Sequence, residues 1–188
     1  MKLFCATTNP GKLREFRLAV EVDPLPGIDG IAPCEETGAT FEENAIQKAL
    51  YYSRHAPGPL FVDDSGLEVR ALGGAPGVLS ARFAGAEASD EANNRLLVER
   101  LRGVEDRAAQ FVCVVALAEK GALIRTFRGV VEGRILDSPR GSNGFGYDPL
   151  FFYGPFGCAF GEVSAERKLS VSHRARALRE MVEFLRGR

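Results

Sequence analysis

Leu60-Phe61-Val62-Asp63-Asp64-Ser65-Gly66 places three apolar residues directly before two carboxylates, and its reading decides the fold. A short apolar run that follows Pro57-Gly58-Pro59 reads as a buried strand. Carboxylates at the end of such a strand lie where α/β folds put their chemistry. Neighbouring strand residues point to opposite faces, so only one of Asp63 and Asp64 can look into a given cleft. A carboxylate there can hold a hard cation through oxygen, as magnesium prefers, with a second carboxylate drawn from Glu35, Glu36, Glu42 or Glu43. The other reading of Asp63-Asp64 is a turn cap before Ser65-Gly66.

Upstream of this strand, Thr40-Phe41-Glu42-Glu43 has the spacing of a capping box, and Phe41, Ala45, Ala49 and Tyr52 continue on one helical face that should end near Pro57. Lys2 to Thr7 reads as a short buried strand. Asn9-Pro10 then supplies a cap and a proline at the first helical position, with Leu13, Phe16 and Val20 at helical spacing. Downstream, the pattern predicts a helix over Asp90 to Leu101. Gln110 to Ala118 and Leu123 to Phe127 should form a hairpin around Glu119-Lys120-Gly121-Ala122, with Val130 to Leu136 as a third antiparallel strand. Arg140 to Asp148 reads as loop, and a last helix from near Ser172 sets Leu178, Met181, Val182 and Leu185 in an amphipathic stripe. Helices interleaved with hairpin strands predict an α/β fold on a mixed sheet, in a single domain over residues 1–188.

Helix first turns favour Asp and Glu, yet the first helix opens with Lys12 and the last with His173 and Arg174. Each taken alone reads as an ordinary solvated cation; two helices breaking the same rule favour a bound anion at their N-termini. Thr7-Thr8-Asn9-Pro10-Gly11-Lys12 has the logic of a phosphate loop, with hydroxyls, a permissive glycine and a lysine between strand and helix, but it is not a Walker A sequence. In Gly141-Ser142-Asn143-Gly144-Phe145-Gly146-Tyr147-Asp148-Pro149 the glycines let backbone approach a ligand, and Phe145 or Tyr147 could stack on a planar base. His55 reads as a surface residue.

A net charge of −1 removes the electrostatic footprint of a general nucleic-acid binder, whereas a small anionic substrate needs only a few placed cations. Cys5, Cys34, Cys113 and Cys158 form no C-x-x-C pair, so neither a zinc site nor a redox motif is indicated and reduced thiols are expected. The N-terminus lacks a signal-peptide core and the apolar run Phe111 to Ala118 is too short to span a bilayer, so a cytoplasmic protein without a membrane partner is expected.

Taken in order, several stretches resemble the inosine triphosphate pyrophosphatase family, enzymes that hydrolyse abnormal purine nucleoside triphosphates. They are Ala6 to Lys12, Glu36-Thr37-Gly38 with Phe41 to Ala45 and Lys48-Ala49, Asp63 to Leu67, Leu72 to Gly77, Ser80-Ala81-Arg82, Gly144 to Pro149, and Ser172-His173-Arg174. They span nearly the whole chain, although Thr8 stands where many relatives have glycine. The resemblance implies an elongated, two-lobed α/β fold with a long central mixed sheet flanked by helices, the nucleotide in the cleft between the lobes, and a homodimer. It implies that Thr7, Thr8, Asn9, Pro10, Gly11 and Lys12 bind the phosphates together with Lys48. Glu36 and Asp64 would hold Mg2+, Asp64 would also be the general base, and Ser65 would contact substrate. Phe145, Gly146, Tyr147, Asp148, Lys168, His173 and Arg174 would surround base and sugar. The implied reaction converts ITP, dITP or XTP to the monophosphate and pyrophosphate. A pyrophosphatase for pyrimidine or methylated nucleotides and a non-catalytic nucleotide or RNA sensor are the alternatives.

Overall fold

Asn9 turns the chain from strand to helix. In the computed structural model, which describes residues 2–187, β1 (Phe4–Cys5) leads through Asn9 into α1 (Pro10–Ala19). The Asn9 side chain accepts the Lys12 amide at 3.0 Å, and Pro10 opens the helix where its missing N–H costs nothing. The expected first strand, Lys2 to Thr7, shortens to these two residues. After β2 (Asp23–Pro24), α2 (Phe41–Tyr52) starts with the capping box that the sequence predicts, Thr40 Oγ1 accepting from Glu43 N and the Glu43 carboxylate accepting from Thr40 N. The helix stops at Tyr52, short of Pro57, and buried Ser53 at its C-cap accepts the Gly121 amide on its hydroxyl oxygen at 3.0 Å.

β3 (Leu60–Val69) is longer than the brief apolar run suggests, and Asp63 and Asp64 lie within it rather than in a turn after it. α3 (Asp90–Arg100) is capped by Ser89. β4 (Ala108–Glu119) and β5 (Ala122–Ile135) form the expected hairpin; Lys120 and Gly121 both have positive φ, the signature of a tight turn matched to strand twist. The separate strand expected at Val130 to Leu136 is instead the continuation of β5 through Gly129. A Cβ at that position would overlap the His173 carbonyl oxygen and come within 2.7 Å of the Ala177 nitrogen, so this glycine lets a helix lie on the strand and does not end it. β6 (Phe151–Tyr153), β7 (Cys158–Ala159), α4 (Ala165–Leu169) and α5 (His173–Arg186) complete the chain.

The seven strands form one sheet in the order β2-β1-β3-β4-β5-β6-β7. β1 runs parallel to β2 and β3, whereas β6 is antiparallel to β5 and β7, so the sheet is mixed as expected. The chain forms two compact units whose boundaries fall within β3, β4 and β5 and just before α5. Unit 1 comprises residues 1–64, 113–129 and 173–188, and unit 2 comprises residues 65–112 and 130–172.

Unit 1 is cored by Cys5, Phe16, Phe61, Cys113, Val115, Leu117, Phe127, Leu178 and Met181, with Val182 and Leu185 of the predicted stripe half-buried. Unit 2 is cored by Leu67, Leu97, Leu101, Phe111, Ile135, Leu150, Phe151 and Phe160, where the Phe111 and Phe151 rings lie 4.5 Å apart. All four cysteines are free thiols. No helix among the described residues is long and apolar enough to cross a membrane.

Gly129→Ala forces a methyl group against the α5 backbone, and overpacking of this kind costs about 1–3 kcal/mol. The thermal midpoint of this variant should fall by roughly 2–12 °C in a melting experiment, and an unchanged midpoint would show that α5 can lift from the strand without cost.

Candidate active site

Within unit 1, the pleat of β3 sends its two aspartates to different partners. Asp63 is 4% exposed; its Oδ1 accepts Lys12 Nζ at 2.9 Å and its Oδ2 accepts Arg174 Nε at 3.3 Å. Cys113 Sγ lies 3.9 Å from the same Oδ2. Asp64 is 7% exposed and its Oδ1 accepts Lys48 Nζ at 2.7 Å, with Asn44 Nδ2 at a long 3.5 Å from Oδ2. Lys12 comes from the first turn of α1, Arg174 from the first turn of α5, and Lys48 from α2 one turn beyond Asn44. Arg174 also pairs with the buried Glu15 of α1.

Neither α1 nor α5 has an acidic residue in its first turn, as the sequence shows, but Arg174 is not a solvated cation: it is 2% exposed and compensated by protein carboxylates. His173 beside it is buried as well. The loop ahead of Lys12 is open, with Thr8, Asn9 and Pro10 exposed and Thr7 Oγ1 accepting the Asn9 amide at 3.2 Å. Gly11 follows at the second position of α1.

Lys48 Nζ also lies 3.3 Å from Glu36 Oε1, so Glu36 and Asp64 converge on one ammonium group. The other three glutamates that the sequence offered do not converge there. Glu42 accepts from the Thr126 hydroxyl, Glu43 caps α2, and Glu35 is exposed. The Glu36 loop is docked along α2 by side chains: Gly38 N donates to Asn44 Oδ1 at 2.8 Å, and Gln47 exchanges hydrogen bonds with Thr37. Two carboxylates meeting at one positive centre form a hard, all-oxygen donor set. Such a pair fits magnesium, an ion that commonly takes one or two carboxylates and fills its shell with phosphate oxygens and water.

Burial and charge separate the twin aspartates. Burial opposes ionisation of Asp63, but Lys12, Arg174 and Lys48 outweigh it and hold its carboxyl well below the usual carboxylate range. At Asp64 burial prevails over the pull of Lys48 and Lys12, and its carboxyl is raised. Burial alone would lower Lys48, yet Asp64, Asp63 and Glu36 raise it, so the ammonium stays charged.

Unit 2 holds a second group of the expected residues. Asp148 is 1% exposed; its Oδ2 accepts the Phe145 amide at 3.0 Å and Lys168 Nζ at 2.5 Å. The Lys168 ammonium also stands 4.9 Å from the Phe145 ring centre. Tyr147 is buried and donates its hydroxyl to the Ser80 carbonyl at 2.8 Å, so it anchors the loop, while half-buried Phe145 carries the more accessible ring. Gly144 and Gly146 have positive φ, and a Cβ on Gly144 would strike the Asp148 carboxylate. Ser65 lies half-buried on β3, directly after Asp64.

Sequence reasoning missed Glu15 and Asn44. Asn44 had a legible signal, a polar residue that interrupts the buried face of Phe41, Ala45 and Ala49, whereas Glu15 lies off the Leu13, Phe16 and Val20 stripe and had none.

The Ham1 family model matches residues 3–184. The chain belongs to the Ham1 family. A protein of Syntrophobacter fumaroxidans named dITP/XTP pyrophosphatase is 53% identical over 184 residues, covering 95% of this chain and 79% of its own length. One of the same name from Acidobacterium capsulatum is 50% identical, covering 100% of this chain and 99% of its own. Among solved structures, the Ham1 protein of Staphylococcus aureus superposes with a TM-score of 0.89 at 39% identity, covering 100% of this chain and 99% of that one. The Staphylococcus aureus protein thus shares the fold over the full chain.

Asp63→Asn leaves Lys12 and Arg174 short of a buried counter-charge and should destabilise the protein by about 3–5 kcal/mol at pH 7 in urea unfolding. Because the folded-state value of Asp63 is depressed, its contribution is complete above the unfolded value of about 3.9 and fades as pH falls below that. The gap between parent and variant should therefore narrow from pH 5 to pH 3, and a gap independent of pH would refute the charge assignment.

Proposed function

We propose that this Ham1 protein hydrolyses abnormal purine nucleoside triphosphates such as ITP, dITP and XTP to the monophosphate and pyrophosphate, with Mg2+ as cofactor. The observation that carries the reading is the convergence of Glu36 and Asp64 on Lys48, beside a second cation, Lys12, at the opening of a capped helix. The names of the relatives support the same reaction.

Lys12, the open α1 N-terminus and Lys48 attract the triphosphate and offset charge that builds on its bridging oxygen. Glu36 and Asp64 would hold Mg2+, which when bound polarises phosphate oxygens and lowers the pKa of bound water. Asp64 accepts the proton of the attacking water; burial, by raising its carboxyl, makes it a stronger base than Asp63. The water oxygen bonds to the α-phosphorus as the bond from that phosphorus to the bridging oxygen breaks, and pyrophosphate leaves with the electron pair. Phe145 stacks on the base, and Asp148 and Lys168 face its edge and sugar. Selectivity for a 6-oxo over a 6-amino purine needs donors near that oxygen, which are left unpaired when a 6-amino purine enters. The protein works in the cytoplasm, as a homodimer, on the free nucleotide pool.

Pyrophosphate release from ITP, XTP, dITP, ATP and GTP, with magnesium present or chelated, tests the reading. Release from the abnormal purines should require magnesium and fall about 10²–10⁴-fold in Asp64→Ala, the usual loss of a general base. Binding without release from any triphosphate would sink the enzyme reading in favour of a sensor.

A further inference from the structure

The glycine loop of unit 2 is gripped from a side that base and phosphate chemistry does not use. α3 presents Asp90 and Asn94 one turn apart, hence on one face. Asp90 Oδ2 accepts the Gly146 amide at 2.6 Å, and Asn94 Nδ2 donates to the Gly146 carbonyl at 2.9 Å. Both polar groups of a single backbone residue are thus held by one helix. That residue has φ +60°, and it separates Phe145, the accessible ring, from Tyr147, the buried anchor.

Asn94 is an expensive choice here. It is 8% exposed and its Oδ1 is buried with no hydrogen-bond partner among the described residues. An apolar side chain of similar size would avoid that loss, so what the asparagine contributes is its hold on Gly146. Three glycines of positive φ, Gly141, Gly144 and Gly146, give this segment wide conformational freedom. A stacking ring discriminates between bases only when its position is fixed, since a freely moving ring stacks on any planar surface.

We infer that Asp90 and Asn94 are positioning residues for nucleobase selection: by holding Gly146 they hold the Phe145 ring against a 6-oxo purine. The inference rests on the hydrolase reading above and adds two residues to it. Neither touches the reacting phosphate, so their loss should act on KM and base preference and leave kcat nearly untouched.

The experiment pairs hydrogen exchange over residues 140–150 with kinetics on ITP and ATP, for the parent, Asp90→Ala, Asn94→Leu and Asp90→Asn. In the first two variants exchange across the loop should quicken, KM for ITP should rise about tenfold, the worth of one such hydrogen bond, and the preference for ITP over ATP should shrink. Asp90→Asn keeps an acceptor oxygen and should recover most of the parent's behaviour. If Asn94→Leu fails to fold, exposed Asp90 carries the test alone. Unaltered exchange overturns the clamp. Quickened exchange with unchanged KM and preference overturns the selectivity role. A parent with a protected loop that releases no pyrophosphate from any purine triphosphate instead defeats the hydrolase reading, and the selectivity role with it.

Discussion

Two adjacent aspartates lie inside a strand where water barely reaches them, and much of unit 1 answers that constraint. A buried carboxylate stays ionised only with a cation or several donors at hand. Because the pleat turns Asp63 and Asp64 to opposite faces, the cations must arrive from two directions. α1 and α5 bring Lys12 and Arg174 to one face, and α2 brings Lys48 to the other. The packing of α1 and α5 around Phe16, Phe61 and Ala177 therefore has an electrostatic partner as well as an apolar one.

The same arrangement gives the two carboxylates different characters. Asp63 faces two cations directly and is pinned as a permanent anion, a structural counter-charge. Asp64 meets one, shares it with Glu36, and keeps a raised carboxyl. Twin groups driven apart by their surroundings are a familiar way to divide labour between holding a charge and moving a proton. Lys48 offsets one of the two negative charges of the acidic pair and leaves the other for a cation to meet.

Local chemistry was the legible part of the fold. Asn9-Pro10, the Thr40 and Glu43 box and the Lys120-Gly121 turn each act through bonds only a few residues away, so each could be read without knowing the rest of the chain. The family stretches likewise brought Lys12, Lys48, Glu36 and Asp64 together. What could not be read depends on contacts distant in sequence. Gly129 looks like a strand break until α5 is laid over it. β3 looks as if it ends at its aspartates until Lys12, Lys48 and Arg174 neutralise them. The grip of Asp90 and Asn94 on Gly146 joins positions more than fifty residues apart, and neither residue announces it.

The division of the chain into units has a consequence for its birth on the ribosome. Unit 1 is discontinuous in sequence, so its core lacks Ala177, Leu178 and Met181 until the segment that follows unit 2 has been made. Domains that fold during translation usually do so as continuous N-terminal pieces. Here the emerging chain instead exposes Asp63 without Arg174, and Phe16 and Phe61 without α5, until α5 has emerged. Unit 2, enclosed between earlier and later segments of its neighbour, has its whole sequence available first. A chain from which residues 65–172 have emerged, but not α5, can therefore complete only the second of its two cores.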